Sequence, residues 1–359
     1  MNAIPTIDMT EVTRLTQAGR LVEATALLQN HPLPVPPLPG PAAAETNFFF
    51  DIMRMFSGNP WSAPETAAPA QPVARAAGGR FEERSFSNSA GSRGFKLFIP
   101  GGYDGQPLPL VVMLHGCSQT PDDFAAGTRM NILAQEHMFL VAYPAQSSSA
   151  NSQRCWNWFN AVDQERGKGE PSLIAGITLD IIQKMNADRR RIYIAGLSAG
   201  GAAAATMASA YPELYAAVCV HSGLACGAAN DMASAFGAMQ SGAAARPNSG
   251  GARNVPTIVF HGDRDTTVHA VNGDHVMTQA KGAAEWRTTV TRGEASHGSR
   301  YTRIVQAGRD DVAVHEQWVL HGGGHAWSGG SSAGSFTEPR GVDASREMLR
   351  FFWDHPKGA

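Results

Sequence analysis

The chain has 359 residues, 43% hydrophobic and 17% charged, so it can bury a large core and is not a charge-driven disordered polymer. Lysine and arginine number 29 against 31 aspartates and glutamates, a net charge of -2, which leaves no basic excess for nucleic-acid binding. The sequence holds no apolar run of about 18 residues, so no transmembrane helix is predicted.

Val12, Leu15, Leu21, Val22, Leu27 and Leu28 recur with a rough helical period that breaks at Gly19, predicting two short helices or one kinked helix. HPLPVPPLPGP at 31–41 favours polyproline II. A short aromatic segment follows with Phe48, Phe49, Phe50 and Phe56, and residues 59–79 read as a Pro/Ala/Gly-rich linker. Residues 1–80 are thus expected to form an extension to a domain spanning 81–359. MNAIPTIDMTEVTRLTQ lacks the basic and apolar regions of a secretory leader. That predicts a cytoplasmic protein, or an extracellular one if a leader has been trimmed.

From Phe81 onward, strands and helices alternate. FEERSFSNSAGSRGFKLFIP predicts a β-hairpin with a Gly/Ser turn, and LPLVVMLHG (108–116) a buried central strand. PDDFAAGTRMNILAQEH reads as a helix with Asp122 as its N-cap, FLVAYP (139–144) as a strand and LIAGITLDIIQKMN (173–186) as an amphipathic helix. RRIYIAGLSAGG (190–201) is a strand entering a Gly-rich turn and an Ala-rich helix. LYAAVCVHSG, VPTIVFHGDRD and VAVHEQWVLHGGGHAW supply three more strands with polar tips, and SREMLRFFWDH closes the chain as a helix. This alternation predicts an α/β fold with a mostly parallel central sheet flanked by helices.

Gly196-Leu197-Ser198-Ala199-Gly200 lies between an apolar strand and a helix. A serine displayed on so tight a turn needs small residues two before and two after it, and the following helix adds positive potential there. Ser198 is the candidate nucleophile. It needs a base and an orienting acid, which in this strand–turn–helix context follow in the order acid, then histidine. Asp265, at the tip of Val255–Asp265, is favoured as the acid over Asp263, which could instead cap the turn or pair with Arg264. His325, in a Gly-rich loop before the last helix, is favoured as the base over His321, which abuts the strand end. An HxxxH zinc pair would need a helix that three glycines oppose.

The loop Leu114–Gln119 is placed to supply an oxyanion hole from the Cys117 and Ala199 amides, with His115 ordering it. Cys117 as a nucleophile would have no base at hand. Trp156 and Trp158 lie in a long loop where they form either an apolar wall for substrate or a packed anchor; with Trp327 they are the candidate substrate contacts. The four cysteines, Cys117, Cys155, Cys219 and Cys226, show no CxxC spacing, which argues against zinc or thioredoxin-like chemistry. A cytoplasmic location would argue against bridges, yet a Cys117–Cys155 pair would tie the tryptophan loop to the oxyanion loop.

LHGCSQTPDDF, YPAQ, CWNWF, IYIAGLSAGGAAAATMASAYPELYAAVCVHSG, VFHGDRDTTVH and HGGGHAWSGG together resemble the polyhydroxybutyrate depolymerase family of esterases. That α/β-hydrolase group also includes feruloyl and acetylxylan esterases. The resemblance spans about residues 93–355. It implies Ser198, Asp265 and His325 as nucleophile, acid and base, Cys117 near the oxyanion hole and Trp156 and Trp158 near the substrate. It also implies hydrolysis of carboxylic esters through an acyl-serine without a cofactor or metal. The expected substrate is a short-chain polyhydroxyalkanoate or its oligomers; feruloyl or acetyl esters are the alternative. A third reading is a non-catalytic protein that holds a polymer or granule surface through the Phe48–Phe56 segment. Docking of that segment on the catalytic domain is preferred to it.

Overall fold

The structure is a computed structural model that describes residues 78–243, 255–308 and 312–358. The helices, polyproline stretch, phenylalanine segment and linker expected before residue 78 lie outside the described residues. A ten-stranded sheet organises the rest. Strands β1 (Arg80–Asn88) and β2 (Gly91–Ile99) form the expected hairpin and join one edge. Next come β4 (Leu140–Pro144), β3 (Leu108–Leu114), β5 (Ala187–Leu197), β6 (Ala217–His221), β7 (Thr257–Gly262) and β10 (Ala313–Leu320), all parallel to one another. Strands β9 (Arg300–Ala307) and β8 (Arg287–Glu294) extend the far edge antiparallel.

Every residue of β3, β4, β6 and β7 is buried, as continuous apolar runs in the middle of a parallel sheet should be. Helix α3 (Gly169–Lys184), α4 (Ala199–Ala210), α5 (Met232–Ser241), α6 (Val271–Lys281) and α7 (Ala344–Asp354) lie between or after the strands. The small residues of α4 let it pack tightly on β3, β5 and β6: a Cβ on Gly200 would stand 2.1 Å from the carbonyl oxygen of Leu114 in β3. Helix α7 buries Met348, Leu349, Phe351 and Phe352, and the Phe352 ring stacks on Tyr193 of β5 at 4.7 Å between centroids. The Asp343 carboxylate caps α7 by accepting from the Arg346 amide.

The segment read as one helix from Pro121 is two, α1 (Pro121–Thr128) and α2 (Met130–His137). Arg129 between them takes a left-handed conformation, φ 57°, and its guanidinium donates to the Gly329 carbonyl and to Asp343. The tertiary anchor breaks a locally acceptable helix. Its N-cap is Thr120, whose hydroxyl accepts from the Asp123 amide with Pro121 at the first helical position. Asp122 is not the cap; it forms an ion pair with Lys96 at 2.6 Å. Among the described residues no helix is long and apolar enough to cross a membrane.

Candidate active site

The C-terminal ends of the parallel strands β5, β6, β7 and β10 carry the loops that hold the candidate residues. Near those ends, Leu197, His221, Phe260 and Trp318 are successive pairing partners. Ser198 follows directly, at φ 58° and ψ -121°, a region L-residues hold only when the surroundings fix them. A Cβ on Gly196 would meet the Gly200 carbonyl oxygen at 2.1 Å, which explains the glycines two residues either side of the serine. The Ser198 amide donates to the His221 carbonyl at 2.9 Å and so pins the turn.

Asp265 sits in the turn after β7. One carboxylate oxygen accepts from the Thr267 and Val268 amides at 2.9 and 2.8 Å; the other accepts from His325 Nδ1 at 2.7 Å. His261 Nε2 lies 3.5 Å from that second oxygen and donates to the Val268 carbonyl. Burial opposes ionisation of Asp265, but its hydrogen-bonding contacts with His261 and His325 hold its carboxyl far below the ordinary carboxylate range. His325 therefore has a fixed, charged partner on Nδ1, which leaves Nε2 free to handle a proton.

Asp263 has other work. Its carboxylate accepts from His321 Nδ1 at 2.9 Å and from the Gly322 amide at 2.7 Å, and the pair is solvent-exposed. The Asp263 amide donates to the Leu320 carbonyl and the Arg264 amide to the Gly323 carbonyl. The acid loop and the histidine loop are thus laced together by the two residues passed over in favour of Asp265 and His325.

The loop after β3 is held from several sides. The Gly116 amide donates to Gln119 Oε1 at 2.9 Å, the Ser118 amide to the Gln153 carbonyl at 2.6 Å and the Gln119 amide to the Gly116 carbonyl. The first two bonds use the amides flanking Cys117, whose own amide donates to no acceptor among the described residues. Ala199, first residue of α4, has no intrahelical acceptor for its N–H. Gly116 packs against Ser198, where an added Cβ would lie 3.7 Å from the serine Cβ. His115 is fully buried; its Nε2 accepts from the Gln146 amide and its Nδ1 donates to the Gly116 carbonyl. Burial lowers its pKa to about 4, so the ring is neutral near pH 7 and orders the loop as a hydrogen-bond hinge.

Cys117 is bonded to Cys155 across 38 residues, which ties the tryptophan loop to this one and removes the Cys117 thiol as a nucleophile. Cys219 and Cys226 take no part in that bridge. Thiol titration of unfolded, unreduced protein should therefore find two reactive cysteines and four after reduction. Closing a loop of that length corresponds to about 4 kcal/mol of lost chain entropy in the unfolded state, so replacing both Cys117 and Cys155 by alanine is expected to lower stability by about 2–4 kcal/mol. Chemical denaturation of the two proteins measures the difference; an unchanged midpoint would show that the bridge contributes nothing.

The three tryptophans are packed inside the fold. Trp156 is 0% exposed, Trp327 1% and Trp158 6%. Trp156 Nε1 donates to the His115 carbonyl, and Trp327 Nε1 to the Ser345 hydroxyl, so both rings anchor loops from the inside. Beneath the tryptophan loop, buried Glu170 accepts from the Asn157 amide and side chain and from Gln146, with Arg93 at 3.4 Å. Burial, with Asp163 nearby, pushes its carboxyl up to about 7. No local sequence signal singles out Glu170 or the buried His221, because both gain their partners only from the tertiary fold.

A family profile described as esterase PHB depolymerase matches residues 93–294, more than half of the chain. The chain belongs to the PHB depolymerase esterase family. One relative is poly(3-hydroxyalkanoate) depolymerase C from Paucimonas lemoignei, 34% identical over 206 residues, covering 54% of this chain and 49% of the relative. Another is feruloyl esterase B from Neurospora crassa, 34% identical over 129 residues, covering 36% and 43%. The match thus spans about half the length, or less, of these curated relatives. Among solved structures, acetyl xylan esterase from Aspergillus awamori superposes with a TM-score of 0.62 at 20% identity, covering 77% of this chain and 99% of that one. That likeness establishes the shared α/β-hydrolase fold.

Proposed function

We propose that this esterase hydrolyses carboxylic esters through an acyl-serine, and that its substrate is a short-chain polyhydroxyalkanoate or its oligomers. The observation that supports the chemistry most directly is the buried Asp265 carboxylate 2.7 Å from His325 Nδ1, set on strand-end loops beside a strained serine turn. In this reading Ser198 Oγ attacks the ester carbonyl while His325 Nε2 takes its proton. The Cys117 and Ala199 amides stabilise the oxyanion of the tetrahedral intermediate. Collapse expels the alcohol, which leaves with the proton from His325. Water then attacks the acyl-serine with the same base, releasing the carboxylic acid and restoring Ser198. Asp265 holds the imidazole tautomer and stabilises the imidazolium throughout. No step calls for a metal or cofactor.

The choice of polymer is supported by the match to the depolymerase from Paucimonas lemoignei, 34% identical over 206 residues, against 28% over 213 residues for an acetylxylan esterase and a shorter match of 129 residues for the feruloyl esterase. The Cys117–Cys155 bridge supports an oxidising compartment as the working location rather than the cytoplasm. The deciding experiment is acid release from amorphous polyhydroxybutyrate particles, run beside methyl ferulate and an acetylated xylan, with Ser198→Ala as the blank. Serine-dependent release from the particles is expected. Release from the small esters alone would overturn the polymer assignment and leave the serine chemistry standing.

A further inference from the structure

We infer that His221 is a positioning residue that couples the serine turn to the histidine loop; this rests on the roles proposed above for Ser198 and His325. His221 ends β6 and is completely buried. Its carbonyl accepts the Ser198 amide at 2.9 Å. Its ring reaches the other way: Nε2 accepts the Ser328 amide at 3.0 Å, three residues beyond His325. Because Nε2 accepts, Nδ1 carries the proton and donates to the Ser222 hydroxyl at 3.2 Å. One residue thus holds the nucleophile turn by its backbone and the base loop by its side chain.

The ring itself cannot drift. It stacks between Phe260 of β7, at 5.7 Å and 19°, and Trp327, at 5.0 Å and 26°. Trp327 is fixed in turn by its hydrogen bond to Ser345, whose hydroxyl donates to the Thr128 carbonyl, and by the edge of Phe124. Phe260 stacks further on Trp318 of β10. A column of rings therefore runs from α1 across β6, β7 and β10, with the imidazole as its polar member. Burial lowers the His221 pKa to about 3, so the ring stays neutral over the working range and keeps Nε2 as an acceptor. Phenylalanine would stack as well in that slot. What only a ring nitrogen adds is an acceptor for the Ser328 amide, which would otherwise be a buried donor with no partner.

The test compares His221→Phe, which keeps the stack and loses the acceptor, with His221→Gln, whose amide oxygen can reach the position of Nε2. Both are assayed against a soluble p-nitrophenyl ester, well below each variant's Tm, beside the wild type and Ser198→Ala. His221→Phe is expected to lose about tenfold to a hundredfold in kcat with KM within about threefold, the signature of misplaced reacting groups rather than lost substrate binding. His221→Gln is expected to recover most of kcat. A folded His221→Phe with wild-type kcat overturns the inference, as does a loss that falls on KM alone. Should His221→Phe fail to fold, His221→Gln carries the test, and a kcat as low as that of Ser198→Ala overturns it. Absence of Ser198-dependent turnover in the wild type would remove the underlying reading and the inference with it, which separates that failure from a failure of His221 alone.

Discussion

Replacing Ser198 by alanine is expected to cut kcat on any accepted ester by about a million-fold while leaving the fold intact. The turn that displays Ser198 is held by backbone: the amide bonds the His221 carbonyl, Gly196 and Gly200 admit the close strand–helix crossing, and α4 begins at the next residue. None of these uses the hydroxyl, and alanine meets the same steric penalty at φ 58° that serine does. Stability should therefore move by no more than about 0.5 kcal/mol. The chemistry should lose its nucleophile entirely, leaving only what the oxyanion amides and binding supply, roughly a thousandfold to ten-thousandfold over water. Steady-state kinetics with unfolding curves on the same preparations checks both halves. Residual activity within about a hundredfold of wild type would mean that another group attacks the ester, and the mechanism proposed here would have to be abandoned.

The serine turn was legible because its requirements are local. A tight strand-to-helix crossing needs small residues at fixed offsets, and GLSAG between IYIA and an alanine-rich run states them within one stretch of chain. The central strands were legible for the same reason, since burial on both faces demands continuous apolar runs. Elements whose stability comes from elsewhere were not. Arg129 breaks a helix through contacts with Gly329 and Asp343, two hundred residues away. The β8–β9 extension went unread because β8, RTTVTRGE, is almost wholly exposed and so carries no apolar alternation. The tryptophans stayed open between wall and anchor because a loop position fits both, and the acceptors of the Trp156 and Trp327 ring nitrogens, the His115 carbonyl and the Ser345 hydroxyl, are brought to them only by the tertiary fold. His221 looked like one histidine among twelve until the sheet register aligned it with Phe260 and Trp318.

Asp265→Asn and Asp263→Asn should separate by about three orders of magnitude in kcat, although the two residues stand two apart in one turn. Asp265 is buried and its carboxylate is the partner of His325 Nδ1. Asparagine there keeps the shape, and its oxygen can still accept the Thr267 and Val268 amides. Its NH2 then faces Nδ1 and forces the proton onto Nε2, the nitrogen that must accept from the serine, so a loss of about ten-thousandfold is expected. Asp263 meets His321 at the surface, where an exposed pair contributes at most about 1 kcal/mol, equivalent to a change of less than about tenfold. The linkage to pH follows the same contrast. Because the folded Asp265 pKa is depressed, its ionised carboxylate stabilises the native state above the unfolded value of about 4, and that stability is lost as pH falls below it toward the folded pKa. Asp265→Asn should therefore flatten the acid limb of the stability curve, measured as Tm against pH from about 6 to 3, where Asp263→Asn changes it little. Equal losses of kcat in the two variants would reassign the acid to a shared role for both loops and displace Asp265 from the mechanism.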